Sequence, residues 1–77
     1  MDTHDIHGTK IGFHTDAKHT VNFLKEGMHR AGIDGYLTKA RQSGRAEFYD
    51  HSGTKFVIEH EEKDGQDHFS VRKSNYQ

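Results

Sequence analysis

Apolar residues recur every three or four positions in the first half of the chain. Those residues are Ala17, Val21, Leu24, Met28 and Ala31. This spacing places them on one side of an α-helix. Thr15 precedes the run as a helix N-cap, and Gly32 follows it where a left-handed residue closes many helices. The sequence therefore predicts a helix over residues 16–31.

After Gly35 the apolar period changes from helical to two, which is typical of β-strands. Four strands are predicted, over residues 36–41, 45–50, 54–61 and 67–73. The segments between them end in Ser-Gly, Ser-Gly and Asp-Gly, which are common hairpin turns. The second half of the chain is therefore predicted to be a series of hairpins.

The turn lengths predict which residues face each other across these strands. The expected pairs are Thr38 with Phe48, Ala40 with Ala46, Ala46 with Ile58, Phe48 with Phe56, Ile58 with Val71 and Lys63 with Gln66. This register gathers small and apolar side chains on one face of the sheet, which the helix is expected to cover.

A short strand is also predicted before the helix, because Thr9–His14 place Ile11 and Phe13 on one face. Residues 1–8 are polar and lack periodicity, so we expect a flexible lead-in. The predicted fold over residues 9–77 is one α+β domain, with a single helix on one face of a mostly antiparallel sheet in the order β-α-β-β-β-β. The first strand could lie parallel to the second strand or antiparallel to the last.

Composition limits what such a domain can do. The chain has 77 residues, of which 30% are hydrophobic and 30% charged, and its mean hydropathy is -1.06. A domain of this size buries a small core. The lack of cysteine excludes disulfides, thiolate zinc sites and cysteine nucleophiles. The chain has no apolar run long enough for a membrane span and an acidic amino terminus, so we expect a cytoplasmic protein that does not bind membranes.

The sheet face opposite the helix is the predicted partner-binding surface. Its expected contact residues are Leu37, Lys39, Arg41, Arg45, Tyr49, Lys55, Val57 and Arg72. Leu37, Tyr49 and Val57 would form an apolar patch with a basic rim, as in many protein interfaces. The simpler interpretation is a solvated face held by ion pairs.

Nucleic-acid binding is the alternative function, because the same face carries cations and an aromatic ring for stacking. Glu47, Glu59 and Glu61 on that face would repel phosphates, and the net charge of -1 gives no overall attraction to nucleic acid.

Catalysis and metal binding have little support in the sequence. No serine, histidine and acid converge in the predicted register, and no glycine-rich phosphate loop opens the helix. The chain is rich in histidine, with eight residues. Only His4 and His7, near Asp2 and Asp5, are placed to chelate a metal loosely, so no metal or cofactor is expected.

The sequence therefore predicts a small non-enzymatic protein-binding module, monomeric or weakly dimeric, that occupies a surface of a larger protein. In its size, its lack of cysteine and proline, and its predicted fold, the chain is similar to the small inhibitors and regulators carried by phages and mobile elements.

Overall fold

Five β-strands form a single sheet in the computed structural model, which describes residues 1–74. The strands are β1 (Asp2–Ile6), β2 (Thr9–Phe13), β3 (Arg45–Tyr49), β4 (Lys55–Lys63) and β5 (Gln66–Lys73). Their spatial order is β1-β2-β5-β4-β3, and every neighbouring pair is antiparallel except β2 and β5. A small α+β fold with a mostly antiparallel sheet is confirmed. Residues 75–77 of the predicted domain lie outside the described part.

The register of β3, β4 and β5 agrees with the sequence prediction. Ala46 lies opposite Ile58, and Ile58 in turn lies opposite Val71. Gly53 lies in the β3–β4 loop with a φ of 82°, a backbone conformation that favours glycine. Here the turn residues were sufficient to fix both strand position and strand face.

The amino-terminal prediction is wrong in two respects. Residues 1–8 include β1, which pairs with β2 through a turn at His7 and Gly8, and Ile6 is fully buried. One well-placed apolar side chain thus secures a segment that is otherwise polar. β2 lies parallel to β5, with Ile11 opposite Phe69, which is neither of the two expected arrangements.

The predicted helix over residues 16–31 is also wrong in detail. The segment contains a 3-10 turn (Thr15–Ala17), one short helix α1 (Thr20–Asn22) and a π-helical turn (Phe23–Gly27). Met28 and His29 are extended and end this segment. A Cβ at Gly27 would lie 3.2 Å from Nε2 of His51, so the glycine accommodates a side chain from the β3–β4 loop.

The main helix, α2 (Arg30–Ser43), contains the residues predicted as the strand over 36–41. Ile33, Leu37 and Ala40 are its buried residues, at spacings of four and three. The expected pairs of Thr38 with Phe48 and Ala40 with Ala46 therefore do not form. The order β-α-β-β-β-β is replaced by two strands, the helical elements and three strands.

Gly44, and not Gly32, provides the left-handed cap that closes this helix. Its φ is 87°, and its N–H donates to the carbonyl oxygen of Ala40. Gly32 lies in the first turn of α2. The predicted loop at residues 42–44 is thus a helix end, although its glycine has the predicted backbone sign.

The core lies between α2, the segment before it and one face of the sheet. Its largest fully buried side chains are Ile6, Ile11, Phe13, Leu24, Ile33, Phe48, Phe56, Ile58 and Val71. We call the sheet face that packs into this core the inner face and the opposite one the outer face. Within residues 1–74, no helix is both long and apolar enough to span a membrane.

Candidate functional site

The outer face takes its residues from the positions that alternate with the core. In the three strands nearest one edge these are Arg45, Glu47, Tyr49, Lys55, Val57, Glu59, Glu61, His68, Ser70 and Arg72. Phe48 is buried on the inner face while its neighbours Glu47 and Tyr49 are exposed, which shows the alternation directly. Within residues 1–74, no helix covers this face.

Among the described residues, Arg72 and Glu59 form the shortest ion pair on the outer face. Nε of Arg72 lies 2.7 Å from Oε1 of Glu59, and Nη2 lies 3.3 Å from Oε2. This two-point geometry is typical of arginine with a carboxylate. The hydrogen bonds and charge of Arg72 lower the pKa of Glu59 below its ordinary value, against the opposing effect of burial.

Glu47 has two cationic neighbours on the same face. Its Oε2 lies 3.5 Å from Nη2 of Arg45 and 3.6 Å from Nζ of Lys55. Together with the Arg72 pair, these contacts set two carboxylates beside three basic residues on this face. The outer face is therefore a surface of mixed charge and offers limited attraction to phosphate.

Val57 does not contribute to the presented surface, although the sequence predicted that it would. It lies on the outer face between Glu47 of β3 and Arg72 of β5, and it is fully buried. Its side chain supports the charged residues around it and is not available as an anchor for a partner.

Tyr49 is an exposed aromatic residue on the outer face. Its relative exposure is 58%, and among the phenylalanine and tyrosine residues within positions 1–74 it alone is exposed. The ammonium group of Lys55 lies 5.9 Å from the centre of its ring. A large, rigid side chain of this kind, beside charged residues, is typical of protein interfaces.

The other three predicted contact residues belong to α2. Leu37 is buried in the core at 4% exposure, and Lys39 is exposed on the helix. Arg41 lies near the carboxyl end of α2, with its guanidinium 5.5 Å from the centre of the Phe69 ring. The predicted site is thus divided, and only Arg45, Tyr49, Lys55, Val57 and Arg72 remain together.

Arg41 belongs to a cluster with Asp67 and His60 that the sequence did not predict. Asp67 accepts from Nε of Arg41 at 3.1 Å and lies 2.7 Å from Nε2 of His60. The hydrogen bond with His60 is the main cause that lowers the pKa of Asp67, and Arg41 adds to it. The cluster connects the carboxyl end of α2 to β4 and β5. The sequence did not predict it, because contacts between residues that are distant in the sequence leave no local sequence pattern.

A shallow groove on the helical side of the sheet lies beside Phe23 and Gly27. His51 packs edge-on against Phe23, with ring centres 4.7 Å apart, and His19 lies 3.6 Å from Asp50.

His4 packs against Phe13, and Nε2 of His7 is buried without a hydrogen-bond partner within residues 1–74. No group of three or more histidine or acidic side chains in the described part could hold a metal ion.

Comparison of the chain with protein-family models, with curated proteins and with solved structures finds no significant match.

Proposed function

We propose that this protein is a small non-enzymatic binding module that occupies a surface of a larger protein, with Tyr49 as its principal contact. The exposure of Tyr49 is the observation that supports this proposal. Burying an aromatic ring against a partner removes a large apolar area from water and immobilises few rotatable bonds. In this arrangement Arg45, Glu47 and Lys55 form a polar rim around one central contact.

The charge pattern favours a protein partner over nucleic acid. Arg45, Lys55 and Arg72 each have an acidic neighbour within hydrogen-bonding or ion-pair distance. A nucleic acid would have to compete with these carboxylates and would be repelled by them. A protein surface of mixed charge would instead find complementary groups on both sides.

Occupying a surface needs no catalytic group, and it is enough for an inhibitor or regulator of the kind carried by phages and mobile elements. The lack of cysteine is compatible with action in the reducing cytoplasm.

The test is affinity for the partner recovered by pulldown from the source cell, measured for variants at two salt concentrations. We expect Tyr49→Ala to weaken affinity about tenfold or more, since buried aromatic anchors dominate interface energies. Arg45→Ala should mainly change the association rate. Lys39→Ala, on the exposed side of α2, is the matched control and should bind like the parent.

Nucleic acid would give a different result. Arg45→Ala would then weaken binding across sequences and reduce the salt dependence by about one phosphate contact. Loss of affinity in Lys39→Ala with none in Tyr49→Ala would place the site on α2 and contradict the proposal.

A further inference from the structure

β3 has a neighbouring strand on one side only. It is the last strand in the sheet order, and within residues 1–74 no strand lies beyond it. A five-residue edge strand leaves backbone donors and acceptors directed into solvent. Which residues carry these groups follows from two hydrogen bonds at its ends.

Those two hydrogen bonds fix the backbone orientation of every residue between them. The N–H of His60 donates to the carbonyl oxygen of Gly44 at 3.0 Å, and the N–H of Asp50 donates to the carbonyl oxygen of Thr54 at 3.1 Å. Bonded and non-bonded pairs alternate along an antiparallel ladder. The even-numbered residues of β3 therefore bond to β4, whereas Glu47 and Tyr49 direct their N–H and C=O groups away from the sheet.

Tyr49 therefore combines two features that suit the binding of an extended peptide. Its side chain is exposed on the outer face, and no strand within residues 1–74 pairs with its backbone N–H and C=O at the edge. An extended peptide could pair with the backbone of Glu47 and Tyr49 and place one side chain directly against the Tyr49 ring.

The opposite edge of the sheet lacks this combination. In β1 the two-residue turn at His7 and Gly8 makes Thr3 and Asp5 the outward-facing residues. The carboxylate of Asp5 accepts from the N–H of Gly8, and no aromatic side chain of this strand is exposed.

A second copy of this protein fits the β3 edge less well than a different chain. The symmetric antiparallel register that overlaps all of β3 is centred on Glu47 and places the two Glu47 side chains opposite each other, which is unfavourable. Registers centred one residue to either side overlap only residues 45–47 or 47–49.

We infer that the edge of β3 binds an extended segment of a partner protein by strand addition, with an apolar or aromatic residue opposite Tyr49. The inference rests on the proposed function and specifies its recognition mode.

The probe is a synthetic peptide selected from a displayed library of short linear peptides with an apolar or aromatic residue at a fixed central position. Amide hydrogen exchange is followed by NMR in the free protein and with the peptide added. We expect the amides of Glu47 and Tyr49 to exchange rapidly when free and slowly when the peptide is bound, while Thr3 and Asp5 remain unchanged.

Glu47→Pro tests the backbone role directly. Proline removes the outward N–H and is tolerated on edge strands where no ladder bond is lost. We expect peptide affinity to fall about tenfold. Glu47→Ala also loses the carboxylate but keeps the N–H, so it is the matched control and should bind the peptide more tightly than Glu47→Pro. Circular dichroism and thermal melting of each variant show whether it is folded.

The outcomes separate this inference from the proposed function. If Tyr49→Ala weakens binding while the Glu47 and Tyr49 amides gain no protection, the outer face binds without strand addition and the inference is wrong. If Tyr49→Ala binds the recovered partner like the parent, the proposed function itself fails. A library that yields no peptide protecting these amides also contradicts strand addition, and concentration-dependent protection without peptide would indicate a second copy instead.

Discussion

Leu37 and Val57 show how far a side chain's role depends on the element that carries it. Both were expected to be exposed anchors in the predicted sheet, and both are buried. Leu37 faces the core because it lies on α2, and Val57 lies beneath charged neighbours. The alternation of apolar and polar residues correctly placed Val57 on the outer face. It could not show that the neighbouring side chains on that face cover Val57.

Leu37→Ala should therefore damage folding before it affects binding. We expect it to lower the free energy of unfolding by about 2–5 kcal/mol, because a cavity opens in a small core. Lys39→Ala, two residues further on the exposed side of α2, should change it by no more than about 0.5 kcal/mol. Urea denaturation measures both. Similar values would mean that Leu37 does not face the core.

At the level of secondary structure, turn signals were more informative than apolar spacing. Ser52-Gly53 and Asp64-Gly65 correctly defined the β3–β4 and β4–β5 hairpins. Of the apolar residues predicted for the helix over 16–31, Ala17 and Leu24 are buried as expected, but the chain is extended at Met28 and His29. Ile33, Leu37 and Ala40 also have helical spacing, which two nearby glycines and the alternation after Gly35 concealed.

Gly35 and Gly44 provide a paired test of α2. Gly35 lies inside the helix, and a Cβ added there would meet no atom within 4 Å. Gly35→Ala should raise the free energy of unfolding by about 0.5–1 kcal/mol, since alanine favours helix more than glycine does. Gly44→Ala should lower it by about 1 kcal/mol or more because of the positive φ. Destabilisation by Gly35→Ala would instead favour the non-helical conformation predicted from sequence.

For the whole molecule, hydrogen-bonded carboxyl groups predict sensitivity to acid. The pKa is lowered in Asp2 by Lys18, in Asp50 by Ser52, in Glu59 by Arg72 and in Asp67 by His60. The ordinary pKa values of these carboxyl groups are 3.8 to 4.5, and their pKa values in the folded protein are lower. At a pH between the ordinary and the folded pKa values, the unfolded chain therefore binds more protons than the folded one. Their contribution to stability is complete above that range and is lost as the pH falls through the folded values.

We expect the melting temperature to decrease steadily as the pH falls below about 4.5. Glu59→Gln should reduce this dependence, because it removes one of the responsible carboxyl groups. Glu62→Gln is the control and should follow the parent, since Glu62 accepts no side-chain hydrogen bond within residues 1–74. A melting temperature that stays constant to about pH 3 would contradict the stabilising role of these groups.

Strand order was beyond what the sequence could predict. Alternation identifies the buried face of a strand, and a short turn identifies its hairpin partner. Neither describes the pairing of β2 with β5, which are joined by no turn. The outer-face residues of β3, β4 and β5 were predictable for this reason, whereas β1 and the parallel pair were not.

The parallel pairing of Ile11–Phe13 with Phe69–Val71 also affects how the protein is made. β5 is the last of the five strands to leave the ribosome, and the amino-terminal hairpin joins the sheet only through it. Until β5 has been synthesised, Ile6, Ile11 and Phe13 therefore remain exposed, because the strand that completes their burial is missing. Exposed apolar surface of this kind favours aggregation. A nascent chain interrupted before β5 would be a substrate for chaperones and proteases, so the complete sheet is expected to form only after β5 has been synthesised.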